Sequence, residues 1–239
     1  MAILALREVS KSFGALKVTD NVSFELGQGE ALGIIGPNGA GKSTLFNLIT
    51  GSLRPETGSI WLEGREITAQ SPMQRCQSGI GRSFQIPQPF DNLTVYENLL
   101  VAARFGGGQK PQNAPAFCMD ILSRTGLLQF ARAKAGGLPL LNRKRLELAR
   151  AMATSPRVIL LDEIAGGLTE GECGELVETI RKIHAEGTAI LWIEHVLHAL
   201  TSVVSRIMVL NFGRMLTIGP PDQVMASAEV REIYLGIEA

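Results

Sequence analysis

Net charge is missing from this chain. Its 23 lysines and arginines offset 23 aspartates and glutamates, so the formal charge at neutral pH is zero. Nucleic-acid binders carry a basic excess that draws them onto phosphates, and no nucleic-acid partner is expected here. Cysteine is scarce. Cys76, Cys118 and Cys173 are scattered and odd in number. That excludes a disulfide framework, and no pair has metal-ligand or redox spacing. Long apolar runs are lacking too. A membrane span needs roughly 18 or more such residues, and the best candidates, "RVILLDEIAGGL" and "TAILWIEHVLHAL", are broken by charges. The opening "MAILALREVSKSF" meets Arg7 before an apolar core is built, so it does not read as a signal peptide. Any membrane role is expected to come through a partner.

What is present suits one large α/β domain or two small, joined ones. "ILALREVSKSF" and "VTDNVSFELGQGEALGIIG" read as strands. The almost wholly apolar "EALGIIG" suits a central strand covered on both faces. "KSTLFNLITG" has helical spacing and ends at Gly51. "TGSIWLEGREI" reads as a hairpin turning at Gly58 and Gly64. Strand signals then vanish over residues 86–155. "LTVYENLLVAARFG", "APAFCMDILSRTGLLQF" and "RKRLELARAMA" favour helices, with a flexible "GGGQKPQNAP" between the first two. Strands return with "RVILLDE", "AILWIEH" and "SRIMVLNFGRMLTIG", separated by helices. Alternating strand and helix predicts a mainly parallel sheet. The expected organisation is a single domain of residues 1–239. Residues 1–85 and 156–239 would form an α/β core with an N-terminal antiparallel β subdomain, and 86–155 an inserted helical subdomain.

Two clusters carry chemistry. "GPNGAGKST" fits G-x-x-x-x-G-K-[ST] between a buried strand and a helix. Its residues are Gly36, Pro37, Asn38, Gly39, Ala40, Gly41, Lys42, Ser43 and Thr44. Glycines at 39 and 41 let backbone N–H groups turn inward onto phosphate oxygens. The helix start adds its positive dipole end. Lys42 brings a cation to the β- and γ-phosphates, and Ser43 a hydroxyl to Mg²⁺. The fold class implied is a P-loop nucleoside-triphosphatase core. The second cluster closes "VILLDE": Asp162 and Glu163 stand at the carboxyl end of a buried strand, beside the crevice where such sheets bind ligands. Asp162 is the candidate Mg²⁺ carboxylate, and Glu163 the candidate general base for the attacking water.

Over essentially its whole length the chain resembles the nucleotide-binding subunit of an ABC transporter. In detail it resembles the ATP-binding subunits of branched-chain amino acid importers and their urea and amide relatives. "RSFQIPQPFDNLTVYENLLVAA" is similar to that family's glutamine-loop region, and "FGRMLTIGPPDQVMASAEVREIYLG" to its C-terminal ending. The resemblance implies the ABC ATPase fold, with ATP and Mg²⁺. It assigns Phe13 to stacking on adenine. It assigns Gln85 to the loop that reaches Mg²⁺ and the water and moves with the helical subdomain. It makes His195, in "LWIEHV", the contact to the γ-phosphate. His184 and His198 fall in predicted helices and are read as structural. "GGLTEGE" matches the loop that crosses to a partner subunit, with Thr169 where many relatives carry Asp.

The implied partners are a second ATPase subunit (a heterodimer favoured, a homodimer possible) and two transmembrane permease subunits. A periplasmic or extracellular solute-binding protein is implied indirectly. The implied location is peripheral, on the cytoplasmic face of the inner or plasma membrane. Apolar Ile86, Pro87, Pro89 and Phe90, within residues 86–96, would suit docking of a short permease helix. One rival reading is a non-transport ABC ATPase. Those typically carry coiled-coil inserts, a second cassette or a basic surface, and the sequence has none. Another is an ATP-holding regulatory subunit with little hydrolysis.

One run departs from the family. The signature there resembles "LSYGQQRRLE"; here it is "LPLLNRKRLE", Leu138 to Glu147. Pro139 replaces a serine, removing a hydroxyl and an N–H. Leu141 replaces a glycine and is expected to put bulk where backbone should approach phosphate. Asn142 replaces glutamine. Two readings follow: the helix start still faces the opposite subunit's ATP through the amides near Asn142 and Arg143, with fewer hydrogen bonds, or one half of a composite ATP site is degenerate, the second slightly favoured.

Overall fold

The computed structural model describes residues 1–235; Gly236, in the C-terminal run quoted above, lies outside the described residues. Two long strands, β1 (Ala2–Phe13) and β2 (Leu16–Gly27), form an antiparallel hairpin. With β4 (Thr57–Leu62) and β5 (Arg65–Glu66) they make a four-stranded antiparallel sheet in the order β2-β1-β4-β5. Gly58 lies inside β4 rather than at a turn.

The second sheet holds the chemistry. Its strands are β3 (Ala31–Ile35), β6 (Ile80–Arg82), β7 (Val158–Asp162), β8 (Ala189–Ile193), β9 (Arg206–Asn211) and β10 (Arg214–Gly219). Their order is β10-β9-β3-β8-β7-β6, parallel throughout except for β10. Every residue of β3, β7 and β8 is buried. Alternate side chains serve opposite cores, as the period of two requires. Leu32, Ile34, Leu160 and Leu191 face the core shared with the antiparallel sheet. Ala31, Ile35, Leu161 and Trp192 face the helical side.

Helix α1 (Lys42–Thr50) follows the glycine loop and α2 (Pro72–Gln77) precedes β6. Arg75 of α2 is wholly buried. It donates to the carbonyls of Leu48 and Ile49 at 2.6 and 2.8 Å, satisfying the end of α1. Between β6 and β7 every assigned element is helical: α3 (Val95–Val101), a π-helical turn (Ala102–Gly106), α4 (Ala114–Arg124), two short 3₁₀ turns and α5 (Leu140–Ala153). Thr94 opens α3 with a reciprocal cap, its hydroxyl accepting from the Glu97 N–H while the Glu97 carboxylate accepts from Thr94. Helices α6 (Glu170–Ala185) and α7 (Leu197–Thr201) pack on the sheet, and α8 (Pro221–Ala226) and α9 (Ala228–Leu235) end the described chain. No described helix is long and apolar enough to cross a membrane.

Candidate active site

Three neighbouring parallel strands, β3, β8 and β7, open at their carboxyl ends onto one crevice. Ile34 and Asp162 both pair with Ile193, so the three strand ends stand level. The glycine loop leaves β3 here. Its turn has no room for other residues at two points. A Cβ at Gly36 would lie 2.2 Å from the Leu210 carbonyl oxygen, and one at Gly41 2.3 Å from that of Val18. Both overlaps are with backbone, which cannot swing aside. Lys42, 6% exposed, donates from Nζ to the carbonyls of Gly36 and Pro37 at 2.7 and 3.0 Å. Burial pushes its ammonium below the ordinary lysine value of 10.5, with Glu163 and Asp162 acting against that. A pocket lined by Asn38 to Thr44, Val18 and Glu163 joins the loop to the acid cluster.

Glu163 takes φ +46 directly after β7, in the left-handed region uncommon for non-glycine residues. Its N–H donates to the Ile193 carbonyl at 2.8 Å, which holds the turn against β8. Its carboxylate is shared. Gln85 Nε2 donates to Oε2 at 2.5 Å, and His195 Nε2 lies 2.8 Å from Oε1. Three residues 32 and 78 positions apart in sequence thus meet on one carboxylate. Glu163 is the hub, and a water held by it would lie beside the pocket that Lys42 lines.

Asp162 is 4% exposed and does not stand alone. Arg82 Nη2 donates to its Oδ2 at 2.6 Å, and Arg82 Nη1 to Asn47 Oδ1 at 2.6 Å. The hydroxyl of Ser43, the carboxylate of Asp162 and the amide oxygen of Gln85 are hard donors of the kind Mg²⁺ prefers. Ser43 is exposed beside the loop, Asp162 keeps Oδ1 outside the Arg82 pair, and Gln85 uses its nitrogen on Glu163. The residues present therefore fit the ion.

Phe13 ends β1 at the tip of the β1–β2 hairpin, 49% exposed, with Lys11 Nζ 5.7 Å from its ring centre. The hairpin reaches the glycine loop through Val18. Thr169 caps α6, accepting from the Glu172 N–H. His184 Nε2 donates to the Gly29 carbonyl at 2.9 Å, a structural contact.

The departing run behaves differently from expectation. Leu141 is 9% exposed and packs in the helical core. It therefore does not obstruct the helix start; its Cβ points inward, as the a-type position of an amphipathic helix demands. The exposed residues at the start of the run are Pro139 and Leu140, the latter at 43% and lying over the turn at Gly167. Pro139 is the N-cap of α5 and supplies no side-chain cap bond. Arg143 instead secures the approach, its Nε donating to the Leu138 carbonyl at 3.0 Å and its Nη2 to that of Gly136 at 2.5 Å.

Sequence reading missed Arg82, Lys144, Glu147 and Glu194. Glu194 sits at a strand end beside His195, which is a signal that was available. Lys144 and Glu147 lie in the charged run "NRKRLE", which reads as a solvated helix face, yet they are 3% and 2% exposed.

The glycine loop and the carboxylate shared by Gln85 and His195 meet in one crevice, an arrangement of the kind that hydrolysis of a nucleoside triphosphate requires. The protein is an ATPase of that α/β class. It belongs to the ABC transporter family, whose model matches residues 19–166. It is 37% identical over 249 aligned positions to the high-affinity branched-chain amino acid transport ATP-binding protein LivG of Salmonella typhimurium, covering 98% of each chain. It is 31% identical to the lipopolysaccharide export system ATP-binding protein LptB of Haemophilus influenzae, covering 99% of this chain and 98% of that one. An ATP-binding cassette of an ABC transporter solved in its ADP conformation matches with a TM-score of 0.88 at 33% identity, covering 99% and 100%.

Proposed function

We propose that this ATPase powers import of branched-chain amino acids or related small polar solutes through a membrane permease pair. Full-length similarity to LivG, a branched-chain amino acid transport ATP-binding protein, at 37% identity supports that solute class over the lipopolysaccharide of LptB, at 31%. Two such subunits would sandwich two ATP molecules and reopen after hydrolysis. The subunit would sit peripherally on the cytoplasmic face of the membrane, with Ile86, Pro87, Pro89 and Phe90 receiving a permease helix. Ile86 is 71% exposed and Phe90 47%, which supports that use.

The observation that carries the hydrolytic reading is the meeting of Gln85, Glu163 and His195 on one carboxylate beside the glycine loop. In this reading Gly36 to Thr44 wrap the phosphates and Phe13 stacks on adenine. Glu163 takes the proton of the attacking water, Gln85 orients that water, and His195 contacts the γ-phosphate. Ser43, Asp162 and Gln85 would hold Mg²⁺, which would supply positive charge to offset that of the phosphates. The inserted helices, residues 86–155, would move with Gln85 as a unit. A heterodimer is favoured, because α5 presents Pro139 where a capping hydroxyl is expected.

A Glu163→Gln variant tests the base. Hydrolysis should fall about 10²–10⁴-fold while ADP still binds. Unchanged turnover would remove Glu163 from that role.

A further inference from the structure

The three candidate catalytic side chains meet through one carboxylate, but their backbones are fixed by two buried charges of opposite sign. Lys144, on α5, is 3% exposed. Its Nζ donates to the Gln85 carbonyl at 2.6 Å and to the Glu163 carbonyl at 3.3 Å. Glu194, just past β8, is 1% exposed. Its Oε2 accepts from the Ala165 N–H at 3.0 Å; its Oε1 accepts from His195 at 3.0 Å and Val196 at 3.4 Å. Every partner is backbone, and every partner belongs to a segment bearing Gln85, Glu163 or His195. A buried ionic group is weak evidence of a stabilising role, since well-packed apolar side chains often replace buried ion pairs without loss. The Lys144 ammonium is pushed down by burial and supported by the carboxylates of Glu194, Glu163, Glu147 and Asp162 around it.

Lys144 is also one end of a ladder. Glu147 Oε1 accepts from the Gln88 N–H at 2.9 Å, and Arg150 Nη1 donates to the Gln88 carbonyl at 2.8 Å. Residues three apart share a helix face, so α5 grips the segment from Gln85 to Gln88 along one side. Lys144 alone of the three also reaches Glu163.

We propose that Lys144 and Glu194 are positioning residues for ATP hydrolysis, setting the backbone of Gln85, Glu163 and His195 so that their side chains meet. Lys144 further joins the helix that starts at Pro139 to this subunit's own base. A shift of that helix start, made where it faces the opposite subunit, is thereby delivered to Glu163. The inference rests on the assignment of Glu163 above.

Lys144→Met, Lys144→Arg and Glu194→Gln test it, in whichever assembly the parent hydrolyses ATP, alone or with a partner ATPase subunit. Lys144→Met and Glu194→Gln should lower kcat about ten- to a hundredfold, the scale of a misplaced catalytic group. KM for ATP and the affinity for ADP should stay within about twofold. Lys144→Arg, which keeps the charge and the donors, should restore most of kcat. Parental kcat in folded Lys144→Met or Glu194→Gln overturns the proposal. So does a joint fall of kcat, ADP affinity and melting temperature that arginine does not repair. Should Lys144→Met fail to fold, Glu194→Gln decides by the same criteria. Parental turnover in Glu163→Gln as well would place the failure in the assignment of the base.

Discussion

Gly36, Gly39 and Gly41 belong to one motif but answer to different constraints. A side chain at Gly36 or Gly41 strikes the backbone of Leu210 or Val18. At Gly39 nothing lies within 4 Å of an added Cβ, and only its φ of +82 argues for glycine. Gly41→Ala should therefore cost the folded chain roughly 2–4 kcal/mol, from overlap and left-handed strain together. Gly39→Ala should cost roughly 1–2 kcal/mol, from strain alone, yet it should weaken ATP binding, because its methyl group enters the phosphate pocket. Denaturant melts with ATP titrations separate the two. Equal stability loss in both variants would refute the distinction. Lys42 and Glu163 show the same division between fold and use: each is held in a conformation or a burial that folding alone does not favour, beside the pocket they share.

At the scale of elements, α5 is where this chain parts from its family's pattern. Its start lacks a side-chain cap, its first exposed side chain is Leu140, and Arg143 ties the approaching loop instead. Restoring the hydroxyl should restore both a cap and a phosphate contact. Pro139→Ser is expected to stabilise the chain by about 1 kcal/mol. It should also raise turnover at the composite site it faces by about tenfold or more, as one charge-assisted hydrogen bond of about 1.5–3 kcal/mol allows. Melting temperature and steady-state ATPase rate read the two effects. A stabilised variant with unchanged turnover would mean that the amides of α5 already suffice, and that the proline is no defect.

For the whole molecule, the proposed pairing with a second ATPase subunit is tested by mixing. Hydrolysis should be near zero for this chain alone and appear on mixing with a partner ATPase subunit. Cooperative hydrolysis by the chain alone, rising with its concentration, would instead support a homodimer in which Pro139 is tolerated.

The glycine loop, the Asp162–Glu163 pair and the alternation of strand and helix were legible in the sequence because each is local. A turn needs its glycines, a buried strand needs unbroken apolar residues, and each signal lies within a dozen positions. Which acids and bases touch was not local. Gln85, Glu163 and His195 converge only because β6, β7 and β8 lie side by side in one sheet. Lys144 and Glu147 read as solvent-facing because a helix face declares its surroundings only once its neighbour, residues 85–88, is packed against it. Leu141 was misjudged for the same reason: replacing glycine said nothing about which way its side chain would point. By itself the sequence determined the glycine loop, the neighbouring acids at a strand end and the order of elements. Tertiary packing alone decided which charges were buried and which side chains share a proton's reach, because burial and distance are properties of contacts between segments far apart in the chain.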